Sequence, residues 1–389
     1  MFAHQAYDAL VVGARCAGAA TAMLMARQGM RVLAIDRGGY GTDTISTHAL
    51  MRGGVLQLHR WGILPRLQKA STPPVRRTTF HYGEEAIAVT IKPSNGVDAL
   101  YAPRRALLDR ILVDAARQAG ATVRHGHTLV GLAHRSNGRV CGATVLDADG
   151  NAMQVEADLV VGADGAGSSV ARLAGAQTLR QARHTTAVIF GYFPGIGLSG
   201  YHWWYRPGIG AGAIPTNNAR HCVFVAVPPR RLRSGPSRHD RRALFGELLR
   251  DADPALAALV AGIEPDEPLC MFAGRQGFLR QAYGPGWALV GDAGYFKDPL
   301  TAHGITDALR DAELLANAAA AGGMTDYAAT RDDLSLPLFD VTDAIAALDW
   351  GLDRVKALHQ TLNQAMKREV EHLLTLGDGH AAMIEEEVP

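Results

Sequence analysis

The sequence predicts an α/β fold: a Rossmann-like dinucleotide-binding domain, an inserted antiparallel sheet and C-terminal helices. Three observations predict it. Residues 8–36 run strand, glycine-rich turn, helix, strand, the pattern of a parallel βαβ unit. Residues 185–228 hold four strand-like runs with no long helix between them, as an antiparallel sheet does. From Gly304 onward the chain reads as mostly helical. At 389 residues it exceeds the usual size of one hydrophobic core, so two domains are the default.

Ala9–Val12 is a short apolar run bounded by Gly13. The Ala-, Met- and Leu-rich stretch Gly18–Gln28 is a helix stopped by Gly29, and Arg31–Ile35 is the second strand. Thr78–Ile91 alternates apolar and polar residues around a turn near Gly83, a hairpin. In Arg104–Gln118, Leu107, Leu108, Ile111, Leu112 and Ala115 share one helical face, and Gly120 ends the helix. Strands are predicted at Thr122–His127, Leu129–Ala133, Arg139–Leu146 and Asp158–Val161, with Asn137-Gly138 and Asp149-Gly150 as hairpin turns. The antiparallel run is Thr185–Phe193, Gly200–Tyr205, Gly210–Pro215 and His221–Pro228. One helix over Asp240–Leu259 follows, then strands at Leu269–Gly277 and Trp287–Val290. These changes of pattern assign residues 1–75, 99–178 and 280–335 to the dinucleotide domain. Residues 76–98 and 179–279 form a substrate domain, and 336–389 a C-terminal helical segment.

Hydrophobic residues make up 48% of the chain, enough for a packed core. The 39 basic and 38 acidic side chains nearly cancel, which argues against a nucleic-acid partner. Arg230, Arg231, Arg233, Arg238, Arg241 and Arg242 sit among Pro, Ser and Gly and read as a solvated loop. Four scattered cysteines without metal spacing point to a reducing, cytoplasmic compartment. Ala9–Ala26 is apolar but interrupted by Arg15, so no stable membrane insertion is expected.

Three glycine–acid segments carry the chemistry. Gly13-Ala14-Arg15-Cys16-Ala17-Gly18 joins strand to helix. Gly13 permits the tight turn, Gly18 permits close packing, and the helix start offers N–H groups to a pyrophosphate. Asp36 follows 23 positions after Gly13, near the offset of an acid that binds a ribose hydroxyl. Arg15 replaces the middle glycine. The second segment, Leu159–Arg172, is strand, glycine turn and helix with Asp164 and Gly165 at the turn, and Ser168 can cap the helix. The third, Trp287–Gly294, repeats strand, glycine, acid with Asp292, and Pro299–Gly304 leads into a long helix. A structural turn is the plain alternative for each.

Together these segments resemble the flavoprotein monooxygenases of the para-hydroxybenzoate hydroxylase type, within the superfamily that includes geranylgeranyl reductases and flavin halogenases. The likeness spans most of residues 1–335. Asp164, Gly165, Ser168 and Arg172 match its second fingerprint. Gly291, Asp292, Ala293, Pro299 and Gly304 match its third, and Arg105 and Leu108 match its Arg-x-x-Leu. The resemblance implies bound FAD. In that reading residues 13–18 cradle the pyrophosphate, Asp36 holds the ribose, and Arg37 and Arg105 lie beside the adenosine and phosphates. Leu129 lines adenine, Asp292 meets the ribityl–phosphate region, and Pro299–Ile305, with Ala302 and Gly304, edges the isoalloxazine. The stretch 44–48, with Ser46 and Thr47, runs beside the ring. Ala302, His303 and Thr306 stand where the family often has Gly, Gln and Asn.

His48 and His303 are the candidates for proton handling, because imidazole titrates near neutral pH. Tyr192, Trp203, Trp204 and His221 are candidate substrate contacts in the antiparallel region, although neighbours on a strand face opposite ways and only one of the two tryptophans should face the site. His125 and His127 lack a third ligand, so no metal is expected. The implied activity is oxygenation of a small organic molecule through a flavin hydroperoxide. Molecular oxygen is the co-substrate and NAD(P)H a transient reductant. A flavin-dependent reductase of carbon–carbon double bonds is the alternative. A halogenase is disfavoured because the Trp-x-Trp-x-Ile-Pro segment is absent, and a non-catalytic escort protein of the same architecture is the third reading. Oligomeric state is left open.

Overall fold

The computed structural model describes residues 6–233 and 239–377. Arg238 and the side chain of Arg233, both in the basic stretch, and residues 378–389 of the C-terminal segment lie outside the described residues.

The chain opens with β1 (Ala6–Val12), α1 (Cys16–Arg27) and β2 (Val32–Asp36), then α2 (Arg52–Arg60), α3 (Leu64–Lys69) and the hairpin β3 (Arg77–Tyr82) and β4 (Glu85–Thr90). Next come α4 (Arg105–Gln118), β5 (Thr122–His125), β6 (Thr128–His134), β7 (Val140–Leu146), β8 (Ala152–Gly162), α5 (Ser169–Leu173) and β9 (Thr178–Gln181). The antiparallel region holds β10 (Ala187–Pro194), β11 (Tyr201–Arg206), β12 (Ile209–Thr216) and β13 (Arg220–Val227). It is followed by α6 (Pro229–Arg233), α7 (Arg241–Ala252), α8 (Pro254–Val260) and β14 (Cys270–Phe272). The chain closes with β15 (Phe278–Arg280), β16 (Tyr283–Gly284), β17 (Trp287–Leu289), β18 (Tyr295–Phe296), α9 (Gly304–Ala321), α10 (Met324–Ala346) and α11 (Leu352–Thr375).

Apolar strands buried on both faces pair in parallel. Here β17, β8, β1, β2 and β5 form that parallel core, with β6 and β7 folded onto β8 as a meander. Helices α1, α4 and α9 cover one face. The second sheet, of seven strands in the order β14-β10-β13-β12-β11-β3-β4, is antiparallel except where β3 lies parallel to β11. Its even-numbered side chains on β10 and β13, with Trp203, join the main core. The opposite face packs on α7 and α8 through Phe193, Trp204, Val223, Val225, Phe245 and Leu248. A small sheet of β18, β15 and β9 links the two parts.

Several expectations are corrected. The helix over 240–259 is two helices, because Pro254 supplies no N–H to a continuing helix and Asp253 caps the second one through Leu256 N–H at 2.8 Å. The strand over 269–277 shrinks to Cys270–Phe272, the length that finds pairing partners on β10. The boundary at 335/336 falls inside α10, which runs on through Pro337. The boundaries at 178/179 and 279/280 fall inside β9 and β15, which pair with each other. No helix among the described residues is long and apolar enough to cross a membrane.

Candidate active site

Parallel pairing gathers the three motifs on one edge. Val12 is in register with Ile35 and with Gly162, and Leu289 is in register with Gly162. The turns after these strands therefore emerge side by side at the carboxyl ends, where open α/β sheets bind ligands.

The first turn is built by close approach. A Cβ on Gly13 would lie 2.4 Å from the Ala163 carbonyl oxygen, at a φ of 103° that side chains avoid. One on Gly18 would lie 1.7 Å from the Gly13 oxygen. No side chain caps α1, so its leading N–H groups remain donors at the positive end of the helix. Asp36 accepts from Ala14 N–H at 2.8 Å and Gly38 N–H at 2.7 Å, and a small cleft beside it is lined by Ala14, Arg15, Thr42, Asp109 and His125. Arg105 grips Asp109 at 3.1 Å, and Asp109 also accepts from the buried Cys16 thiol at 3.0 Å. Arg37 is exposed. Leu129 is buried with Leu10, Val12, Ile35 and Val145.

Asp164 serves its own helix. It accepts from Ser168 Oγ and from Ser169 N–H, the latter at 2.6 Å, while Ser168 caps α5. Gly165 takes a φ of 78° at that turn. In the third motif, burial pushes the Asp292 carboxyl up to about 6, with Lys297 and Arg105 pulling the other way. Asp298 binds Thr186 through N–H at 2.6 Å and Oγ at 2.8 Å, fastening the motif to the start of β10. Pro299–Thr301 form one 3₁₀ turn, and Ala302 is left-handed at φ 50°. The family's usual glycine would take that conformation freely; alanine takes it under strain.

His303 precedes α9 and is 1% exposed. Its Nε2 lies 2.8 Å from Glu369 on α11, and its Nδ1 has no partner among the described residues. Arg310 ties Glu369, Asp307 and Asp311 together at 2.9, 3.1 and 2.8 Å, and Lys297 pairs with Asp307. Burial lowers Lys297 to about 7. It also lowers His303, leaving the ring neutral, with Glu369 resisting. His303, Asp307 and Glu369 stand close enough to share an ion. Lys297 and Arg310 pair with these carboxylates, so the cluster is an ion-pair network.

His48 sits between the two sheets, fully buried, at φ 65°. Its Nε2 makes a hydrogen bond with the Tyr192 hydroxyl, and its Nδ1 has no partner among the described residues. Burial pushes His48 down to about 3 and Tyr192 well up, so both are neutral near pH 7. Arg104 lies 3.6 Å above the Tyr192 ring and is held by Asp43 at 2.6 Å and Glu267 at 2.9 Å. Ser46 accepts from His48 N–H at 3.0 Å; Ser46 and Thr47 are half-buried in the same loop.

The structure thus brings His48 and Tyr192 together, with Trp203 on the same sheet face. Trp204 and His221 are not brought there. Trp204 stacks on His81 with ring centroids 4.6 Å apart on the opposite face, and His221 is bound to the Leu198 carbonyl at 2.9 Å. Strand alternation is the reason. Missed in the sequence were Asp43, Arg104, Lys297 and Glu369. Only Lys297, beside Asp298-Pro299, carried a local signal.

The donor-rich turn, the cradle too tight for a Cβ, the cleft at Asp36 and two buried imidazoles with unpartnered nitrogens fit a flavin dinucleotide, and they define a flavoprotein oxidoreductase. The chain belongs to the FAD binding domain family, which matches residues 6–322. A menaquinone reductase of Mycolicibacterium smegmatis is 30% identical over 345 residues, spanning 82% of this chain and 78% of the relative. Among solved structures, the flavin-dependent brominase Bmp2 gives a TM-score of 0.79 at 18% identity, covering 98% of this chain and 96% of that one. PqsL of P. aeruginosa in complex with 2-aminobenzoylacetate gives 0.76 at 18%, covering 92% and 100%. At that identity the two structures speak for the fold alone.

Proposed function

We propose that this FAD-dependent oxidoreductase reduces a carbon–carbon double bond of an apolar small molecule, with His48 and Tyr192 handling the proton. The observation that carries this is their pairing. Bound FAD would supply the hydride equivalent, and the residues 13–18, Asp36, Arg105, Asp292 and 299–305 would hold it. Reduction then needs one proton from the protein. With the Tyr192 hydroxyl donating to Nε2, the neutral His48 ring carries its own proton on Nδ1, which has no partner among the described residues; that proton passes to the substrate while Nε2 takes the Tyr192 proton. Burial disfavours the phenolate that remains after transfer, and Arg104 above the Tyr192 ring partly offsets that cost.

The sheet face with Phe190, Tyr192, Trp203 and Phe224 suits an apolar, flat substrate. The name of the menaquinone reductase to which the chain is similar makes menaquinone the first compound to assay. Oxygenation, with NAD(P)H as transient reductant, is the second reading, favoured by the likeness in the three flavin motifs. The test is anaerobic. Dithionite-reduced protein mixed with menaquinone, or with a panel of polyprenyl and aromatic compounds, should reoxidise its flavin and yield a product two hydrogens heavier. Reoxidation and product formation that both require oxygen would replace this reading with the oxygenase one. A purified chain that binds no FAD would remove both.

A further inference from the structure

We propose that Glu369 is a positioning residue: through its hydrogen bond to His303 it makes Nδ1 of that ring the site where a second proton is taken up when the flavin is reduced. This rests on the reading that residues 299–305 border the flavin. The inference adds a helix that the family match does not reach, since α11 lies beyond residue 322.

The geometry begins with a carboxylate that is fully buried. Glu369 accepts from His303 Nε2–H at 2.8 Å and from Arg310 at 2.9 Å. With Nε2 donating, neutral His303 keeps its lone pair on Nδ1, the buried atom without a partner among the described residues. The charges facing the ring are Asp307 and Arg310 from α9, Glu369 from α11 and Lys297 from the preceding loop, with Asp311 paired to Arg310. Asp292 and Asp298 lie behind them, and the Tyr295 ring lies 4.8 Å from Lys297. From α10, Ser335 contributes a hydroxyl to Arg310 at 2.8 Å. From α2, Gly53 approaches Glu369 without charge. Of these charged groups Glu369 alone bonds Nε2 at 2.8 Å, which makes it the carboxylate placed to stabilise imidazolium at His303.

The balance is as follows. Reduction of bound FAD by two electrons, from a reduced nicotinamide or from dithionite in the test, would take one proton from solvent and add one negative charge beside residues 299–305. That new negative charge raises the proton affinity of His303 Nδ1, which takes a second proton from solvent. Glu369 stabilises the resulting imidazolium. Two protons are therefore taken up per two electrons, in place of one.

The experiment is a potentiometric titration of the FAD-loaded full chain across the neutral range, from about pH 6 to about pH 9, which brackets imidazole and the lowered lysine. Wild type should show the potential–pH slope of two protons per two electrons. Glu369→Gln and His303→Gln should each show half that slope, with flavin content and circular dichroism unchanged. A merely structural Glu369 would shift the potential without halving the slope. If His303→Gln keeps the two-proton slope, the proton belongs to another group, Lys297 first, and the proposal fails. A one-proton slope in wild type also overturns it, even if neither variant folds. Absence of bound FAD in wild type would instead sink the underlying cofactor reading.

Discussion

A single imidazole shows how burial sets chemistry at the residue scale. His48 is fully buried and is pushed from 6.5 to about 3. Its folded value lies below the unfolded one, so the unfolded chain binds the proton first. Stability from the neutral ring is present above about 6.5 and is lost as pH falls toward 3. The advantage of wild type over His48→Gln should therefore shrink by about 1.4 kcal/mol per pH unit between pH 6 and 4. Urea denaturation at several pH values measures it; a constant difference would mean that the folded ring is already open to protonation. In the sequence, His48 was visible as a candidate, but Tyr192 as its partner was not. The two are 144 positions apart, and only the docking of β10 over the 43–48 loop unites them. Glu369 was hidden for the same reason, 66 positions from His303.

At the scale of the element, two glycines of one functional reading separate into different physical roles. Gly18 is required by the protein itself, because a Cβ there collides with the Gly13 carbonyl. At Gly304 a Cβ meets only Asp292 Oδ1, at 3.9 Å. Gly304→Val should therefore fold normally and yet lose flavin or lower its potential, since the added bulk stands where backbone must approach the ring. Gly18→Ala should instead cost about 1–3 kcal/mol or more in folding stability. Flavin content, a redox titration and thermal unfolding distinguish the two; normal flavin and potential in Gly304→Val would make the start of α9 a bare structural turn. Strand–turn–helix units such as 8–36 were legible because glycine and apolar runs mark them locally. The break at Asp253-Pro254 was also written locally and went unread. The shortening of the 269–277 strand was not local, since it depends on how much of β10 is free to pair.

For the whole molecule, the parallel sheet was the legible part, and the reach of the C-terminal helices was not. Helix α11 buries Val355, Leu358, Leu362 and Leu373 and delivers Glu369 to the His303–Arg310 cluster. Each buried aliphatic contributes about 1.5–3 kcal/mol, so removing four approaches the whole stability of a domain, roughly 5–15 kcal/mol. A chain ending at Gly351 should lose its cooperative thermal transition; an unchanged midpoint in calorimetry would make α11 an accessory.

The seven-stranded sheet also has a bearing on how such a protein can change its substrate. If the proposed function holds, Tyr192, Trp203 and Phe224 on the face toward the main core would set what is bound, while Phe193, Trp204 and Val225 keep the sheet seated on α7 and α8. A mutagenesis library restricted to the first set should then return altered selectivities among its folded members, and one drawn from the second should alter stability without altering selectivity. Odd or even position along each strand is thus a partition between what selection can explore and what it must keep.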